Sequence, residues 1–308
     1  MPGFNDFEFL SADKKTMIHV REIVPEGKIK GYVQIAHGVA EYINRYDDFM
    51  KFLASKGYAV AGNDHLGHGK SVSSEENRLF FAEENGWDLV VEDMKTLHET
   101  LKNRYPNLPA IIFGHSMGSF LARTYIIKYP FDFDEAIICG TGQESPLVIA
   151  AGKMMANREC KKNGAKVPSV KMNNLAFGGY NKSFEQRTPS DWLSKNQANV
   201  DRYIADEFCG GIPTAGLFRD MMGGLQFIAK KENLAKMSKN LPVFLIAGSK
   251  DPVGSMGREV AKVKTMFEAA GMKNVSMKLY EDDRHEILNE DDHETVYHDI
   301  VSWIGRQL

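Results

Sequence analysis

Short apolar runs alternate with helical patterns along most of the chain, and this alternation constrains the fold more than any other feature. Val33–Ala36 stops at His37-Gly38, Tyr58–Ala61 at Gly62-Asn63-Asp64, and Ala110–Phe113 at Gly114. Ala136–Cys139 stops at Gly140, Val243–Ala247 at Gly248, and Val275–Tyr280 runs into an acidic turn. Each run is rich in β-branched or aromatic residues, the pattern of a parallel strand covered on both faces. Between them, Val90, Met94, Leu97, Leu101 and Tyr105 repeat at helical spacing and stop at Pro106. Tyr42, Tyr46, Phe49, Met50 and Leu53 do the same before Gly57, and Val260, Val263, Met266, Phe267 and Ala270 before Gly271. Val296, Ile300 and Trp303 mark a last helix. Strand–helix repetition predicts βαβ units and a mainly parallel sheet with flanking helices. Met17–Val24 and Lys28–Ala36, around Pro25-Glu26-Gly27, predict an antiparallel hairpin leading into it.

The alternation breaks between Ser145 and Ala235, where no buried-strand run occurs. A helical start (Leu147–Cys160), a Gly/Asn/Pro-rich middle (Asn163–Asn181) and a second helical part (Thr214–Lys230) predict an inserted cap over residues 145–235. Residues 1–144 and 236–308 then form one α/β core.

The sharpest chemical signal is Gly114-His115-Ser116-Met117-Gly118. This G-x-S-x-G follows the run Ile111–Phe113 and precedes a helical pattern, Phe120, Leu121, Thr124 and Ile127, closed by Pro130. Strand, sharp turn and helix are the context that a nucleophile elbow requires. A serine hydroxyl needs a base, and the base needs an orienting acid. With such an elbow the partners follow in the order Ser, Asp/Glu, His. Asp251 stands just past Val243–Ala247, and His285 just past Val275–Tyr280. All three fall beyond the carboxyl ends of predicted strands, where open α/β sheets place their sites. Asp282 and Asp283 are rival acids, but their closeness to His285 on one loop predicts solvated side chains. His37-Gly38-Val39 follows the strand Val33–Ala36, so the Val39 and Met117 backbone amides are the candidate oxyanion donors.

Other constellations carry less. His285-Glu286 lacks the second histidine of a zinc helix, and Gly69-Lys70-Ser71 lacks the first glycine of a phosphate loop. Asp64, His65 and His68 offer metal-ligand types, but their glycine-rich loop reads as a structural turn. His293 and His298 lie on a charged helix face and are expected to be solvated. No cofactor and no metal are expected. With 38 basic and 41 acidic residues the net charge is −3, which gives neither a nucleic-acid footprint nor a polybasic membrane patch. Cys139, Cys160 and Cys209 form no disulfide framework or zinc spacing. No secretory signal or bilayer-length apolar run is visible, so a cytoplasmic setting is expected.

The motifs together resemble the monoacylglycerol lipase and lysophospholipase group of α/β-hydrolase serine esterases. The resemblance runs through His37-Gly38, Glu41, Arg45-Tyr46, Asp64–Ser71, Gly114–Gly118, Gly248–Val253 and Arg284–Glu290. It implies an α/β-hydrolase fold with Ser116 as nucleophile, His285 as general base, Asp251 as orienting acid, and Val39 and Met117 as oxyanion donors. The implied substrate is a small-molecule ester, a monoacylglycerol or lysophospholipid with one acyl chain. Ile149, Met154, Met155, Phe177, Leu217, Phe218, Met221, Met222 and Leu225 are candidates to line an acyl channel, with Met154, Leu217 and Met221 foremost. The same residues at helical spacing also suit the cap's own core. A short-chain esterase, an amidase or peptidase, and a non-catalytic binding protein of this fold are the alternatives. The Met/Phe content of the cap adds transient contact with a membrane surface as an expectation.

Overall fold

The computed structural model describes residues 3–307. Eight strands form one sheet: β1 Phe4–Leu10, β2 Met17–Ile23, β3 Gly31–Ala36, β4 Tyr58–Asn63, β5 Ala110–His115, β6 Glu135–Cys139, β7 Val243–Gly248 and β8 Val275–Tyr280. Their spatial order is β1-β2-β4-β3-β5-β6-β7-β8. From β4 to β8 every pairing is parallel, and only β1–β2 and β2–β4 are antiparallel. The helices of the core are α1 Asp47–Ser55, α2 Gly86–Arg104 and α3 Met117–Lys128. Between β6 and β7 come α4 Pro146–Asn163, α5 Val170–Phe177, α6 Gln197–Ala205, α7 Ala215–Ala229 and α8 Lys231–Leu234. The core resumes with α9 Arg258–Ala269 and α10 His293–Gln307.

Strand side chains alternate between two apolar layers, as the pleat requires. Ile111, Phe113, Ile137 and Ile246 join the layer that holds Phe49 and Leu53 of α1 and Ile300 and Trp303 of α10. Their neighbours Ile112, Ile138 and Leu245 join the layer built on α2, α3, α7 and α9. Each fully buried aliphatic or aromatic side chain contributes about 1.5–3 kcal/mol, so both covered faces are needed to hold the central strands.

The expected hairpin is corrected. β2 pairs with β1, through a turn at Ser11–Thr16, and with β4, whereas β3 lies between β4 and β5. The Asp13 carboxylate accepts the Lys15 and Thr16 N–H groups at 2.7 and 2.8 Å and closes that turn. β3 is buried throughout, which suits a central strand and not one arm of an edge hairpin. The Gly/Asn/Pro-rich middle of the insert also contains a helix: the Ser169 hydroxyl accepts from Met172 N–H at 3.3 Å and caps α5.

Helix α7 carries the insert onto the core. Thr214 caps it, accepting from Leu217 N–H at 3.2 Å while its hydroxyl donates to the Leu79 carbonyl at 2.7 Å. α4 lies against α7, and α7 against α3 and α2. The irregular segment before α6 is fastened to the loop after β8. Arg284 pairs with both Glu185 oxygens at 2.8 Å and donates to the Asp191 carbonyl at 2.6 Å. Lys195 pairs with Asp283 at 2.5 Å, and the Ser194 hydroxyl donates to Glu290 at 2.6 Å. No helix among the described residues is long and apolar enough to cross a membrane.

Candidate active site

β5 runs into α3 with Ser116 alone between them, at φ +55° and ψ −121°. That positive φ is strained for a side-chain-bearing residue, at about 1–3 kcal/mol. The surroundings hold it: Ser116 N–H donates to the Cys139 carbonyl at 3.0 Å, and the Ser116 carbonyl accepts from Ser119 N–H and hydroxyl at 2.9 and 2.6 Å. Gly118 sets the closeness of helix and sheet, since a Cβ there would lie 2.0 Å from the Ala36 carbonyl oxygen.

Asp251 and His285 come from the loops after β7 and β8. These loops cross tightly: a Cβ on Gly248 would lie 2.1 and 2.2 Å from the Asp283 and Arg284 carbonyl oxygens. Both Asp251 oxygens lie 3.0 Å from His285 Nδ1, and Asp251 Oδ1 also accepts Val253 N–H at 2.9 Å. A carboxylate only accepts, so Nδ1 carries the hydrogen in this contact. The imidazole is buried between His115, at 4.6 Å between ring centroids, and Trp192, at 5.2 Å. Ser116 and His285 line the same cavity. Among the described residues the Ser116 hydroxyl has no hydrogen-bond partner; catalytic hydrogen bonds are commonly long before substrate binds. The rival acids divide. Asp282 is exposed, while Asp283, expected to be solvated, is buried because Lys195 reaches it.

The loop after β3 brings its backbone to the same place. A Cβ on Gly38 would lie 3.1 Å from Ser116 Cβ. Val39 and Met117 both line the cavity, and among the described residues neither N–H has an acceptor. Met117 is also the first residue of α3, where unpaired N–H groups favour negative charge.

A buried polar network that sequence reasoning did not assemble supports this loop. Glu41 Oε1 accepts from Gly38 N–H at 2.6 Å and from the Tyr46 hydroxyl at 2.8 Å, and it faces His115 Nδ1 at 3.3 Å. Arg45 joins Glu41 (3.0 Å) to Glu286 (2.5 and 2.7 Å), and Asn199 of α6 donates to Glu286 at 2.7 Å. Burial would raise the Glu41 carboxyl, but His115 and Arg45 hold it well below the usual range. Burial opposes charge on His115, yet Glu41 outweighs it and raises that imidazole above its ordinary value. The sequence signals were position, with Glu41 and Arg45 just after the His37-Gly38 turn and Glu286 next to His285, and their place in the motifs that carry the family resemblance.

The Asp64–Ser71 loop is a buried turn. Asp64 accepts Ile43 N–H at 2.9 Å and Lys70 N–H at 2.8 Å, and Gly67 and Gly69 take positive φ. His65 packs at a tilt against His37, 4.1 Å between ring centroids, and burial pushes the His68 imidazole down to about 3. His298 is exposed against Phe52, and His293 is half-buried with Nδ1 donating to the Glu290 carbonyl at 2.7 Å. One group of metal-ligand types, His98, Glu99 and Asp132, clusters within 4.8 Å. The Lys95 ammonium already bridges its carboxylates, at 2.5 and 2.7 Å.

The family described as "Serine aminopeptidase, S33" matches residues 27–292. The chain belongs to that family. Its monoacylglycerol lipase relative from Mycolicibacterium smegmatis is 27% identical over 92% of this chain and 91% of its own length. The monoglyceride lipase of Homo sapiens is also 27% identical, over 92% of this chain and 85% of its own. Among solved structures, a highly thermostable carboxyl esterase from Bacillus coagulans, in complex with glycerol, superposes with a TM-score of 0.91 at 28% identity, covering 99% of each chain. The fold is that of the α/β hydrolases.

In this S33-family chain the cavity has a volume of about 760 Å³ and runs from the elbow up to α4, α5 and α7. Its apolar lining includes Ile149, Met155, Phe177, Met221, Met222 and Leu225. Of the three foremost candidates Met221 lines this cavity, whereas Leu217 and Met154 do not. Leu217, one turn before Met221 on α7, is fully buried with Phe218 in the closed core, and Met154 is 50% exposed on the outer side of α4 beside Lys153 and Arg158. Helical spacing could not separate these outcomes, because both the cavity face and the packed face of a cap helix are apolar.

Proposed function

We propose that this protein is a carboxylic ester hydrolase that works through a serine acyl-enzyme. One observation carries the proposal: the strained Ser116 lines the same apolar cavity as an imidazole whose Nδ1 is fixed by Asp251. Ser116 Oγ attacks the ester carbonyl while His285 Nε2 takes its proton. The tetrahedral oxyanion is held by the Val39 and Met117 N–H groups; losing one such donor costs about 3–4 kcal/mol of transition-state stabilisation. The C–O bond breaks, and the alcohol leaves with the proton that His285 returns. Water, deprotonated by the same nitrogen, then releases the acid and restores Ser116.

The substrate we propose is a single-chain lipid ester, a monoacylglycerol first and a lysophospholipid second. The apolar cavity and the similarity to proteins named as monoacylglycerol lipases support it. Residues 145–235 act as its cap. Three free cysteines suit a reducing, cytoplasmic setting. The family's aminopeptidase description favours a second chemistry, amide cleavage at the same centre. A fluorophosphonate probe should label the wild type and not Ser116→Ala. Monoacylglycerols should be turned over faster than matched amides or acetyl esters. An unlabelled wild type rejects the mechanism, and a strict preference for acetyl esters rejects the lipid substrate.

A further inference from the structure

The cavity wall carries a one-sided charge. Among the described residues four glutamates line it and no lysine or arginine does. Glu41 and Glu286 share the guanidinium of Arg45, at 3.0 and 2.5 Å, and Glu41 also faces the His115 imidazole at 3.3 Å. Glu259 accepts Gln143 N–H at 2.5 Å, and Lys262 is 3.8 Å from its other oxygen. Glu144 is exposed and has no ion pair among the described residues. The nearby cations are turned to backbone and amide groups behind the wall. Arg123 donates to the Gly142 carbonyl at 2.9 Å and to Gln143 Oε1 at 2.6 Å, and Lys262 to the Gln143 carbonyl at 2.6 Å.

This acidic stretch is close to the chemistry. It continues from Cys139, whose carbonyl accepts Ser116 N–H, through Gly140, where a Cβ would lie 3.1 Å from His285 Cε1. Across the cavity stand aromatic faces. Tyr180 and Trp192 are 5.1 Å apart, and Trp192 packs on His285. Aromatic faces attract cations and repel anions. In a partly enclosed cavity such charges are screened less than in water, and an anion entering it meets no lysine or arginine side chain on the wall to replace its hydration.

We propose that Glu144 and Glu259 set the charge selectivity of this cavity. Neutral and, above all, cationic alcohols, such as those bearing an ammonium or quaternary ammonium group, are accepted as leaving groups. Esters with a phosphate or carboxylate near the scissile bond are rejected. The inference rests on the ester-hydrolase reading and narrows it, because it sets phosphate-bearing lysolipids below neutral acylglycerols and admits amino-alcohol esters.

Three butyrate esters test it: the choline ester, its uncharged isostere the 3,3-dimethylbutyl ester, and the 3-sulfopropyl ester. At low ionic strength kcat/KM for the choline ester should exceed that for the isostere by about fivefold or more, and the sulfonate should fall below it by a similar factor. Both ratios should shrink toward one in 0.5 M salt and in the Glu144→Gln/Glu259→Gln double variant. Glu144→Gln alone, at an exposed position, should lower the choline-to-isostere ratio even if the double variant does not fold. Hydrolysis of the isostere with equal rates for all three esters overturns the charge selectivity and leaves the esterase standing. A wild type that hydrolyses none of them and takes no fluorophosphonate label overturns the esterase, and this inference with it.

Discussion

Asp251 holds His285 with both oxygens, and its own N–H is tied to the Gly248 carbonyl at 3.2 Å. An asparagine there would keep the shape but could present its NH2 to Nδ1, moving the imidazole hydrogen to Nε2, where the serine proton must go. Asp251→Asn should therefore lower kcat by about 10⁴ with little change in Tm, measured by ester turnover and thermal melting. Glu135 behaves differently. It opens β6, is buried, and neither carboxylate oxygen has a partner among the described residues. Burial, aided by the charge of Asp134, pushes it from 4.5 up to about 8. In the unfolded chain it ionises near its ordinary value; in the fold it stays protonated to higher pH. The Glu135 contribution to stability is therefore fullest below about pH 4.5 and declines as pH rises toward 8. Glu135→Gln, which cannot ionise, should gain on wild type between pH 5 and pH 8.5 by a few kcal/mol in unfolding free energy. Ser116, Asp251 and His285 could be picked out as candidates because each follows a strand run by a few residues, and the fold brings the three to one place. Glu286 was not, because nothing local distinguishes a buried, Arg-paired glutamate from the solvated acids beside it.

At the scale of elements, the loop that carries His285 is also the anchor of the cap. Lys195, Arg284, Glu290 and Asn199 join residues 185–199 to residues 283–290. Burial raises the Asp283 carboxyl to about 6, with Lys195 opposing the rise. Replacing that lysine leaves the carboxylate buried without its cation. Lys195→Met should lower stability by about 2–3 kcal/mol, less than a fully enclosed pair because the ammonium is partly exposed. It should also lower kcat, since Asp283 is two residues from the base; melting and turnover at pH 7 check both. Seven strands could be read from the sequence, six because their apolar runs end in glycine or acidic turns and β2 as one arm of the expected hairpin. β1 could not: Phe7 and Phe9 alternate with Asp6 and Glu8 at a half-exposed edge, a signal weaker than a continuous run. α5 escaped because eight residues span only about two turns, too few for a period to show among its asparagines.

For the molecule as a whole, the sequence pattern pointed to the carboxyl edge of the sheet but not to the shape of the space above it. Strand order follows from connectivity and handedness, and Ser116, Asp251 and His285 sit at strand ends that topology makes neighbours. The cap lacks such a rule. Its helices satisfy the same apolar spacing whether a side chain faces the cavity, the core or solvent, and Met221, Leu217 and Met154 fall one into each. Its attachment is simpler than its interior. The chain leaves the sheet after β6 and returns at β7, and these two strands lie side by side, Ala136 opposite Val243 and Cys139 opposite Ile246. An insert that leaves and rejoins the frame between two hydrogen-bonded neighbours can vary in length without shifting the register beneath it, but any replacement must meet again the partners that residues 283–290 now find in residues 185–199.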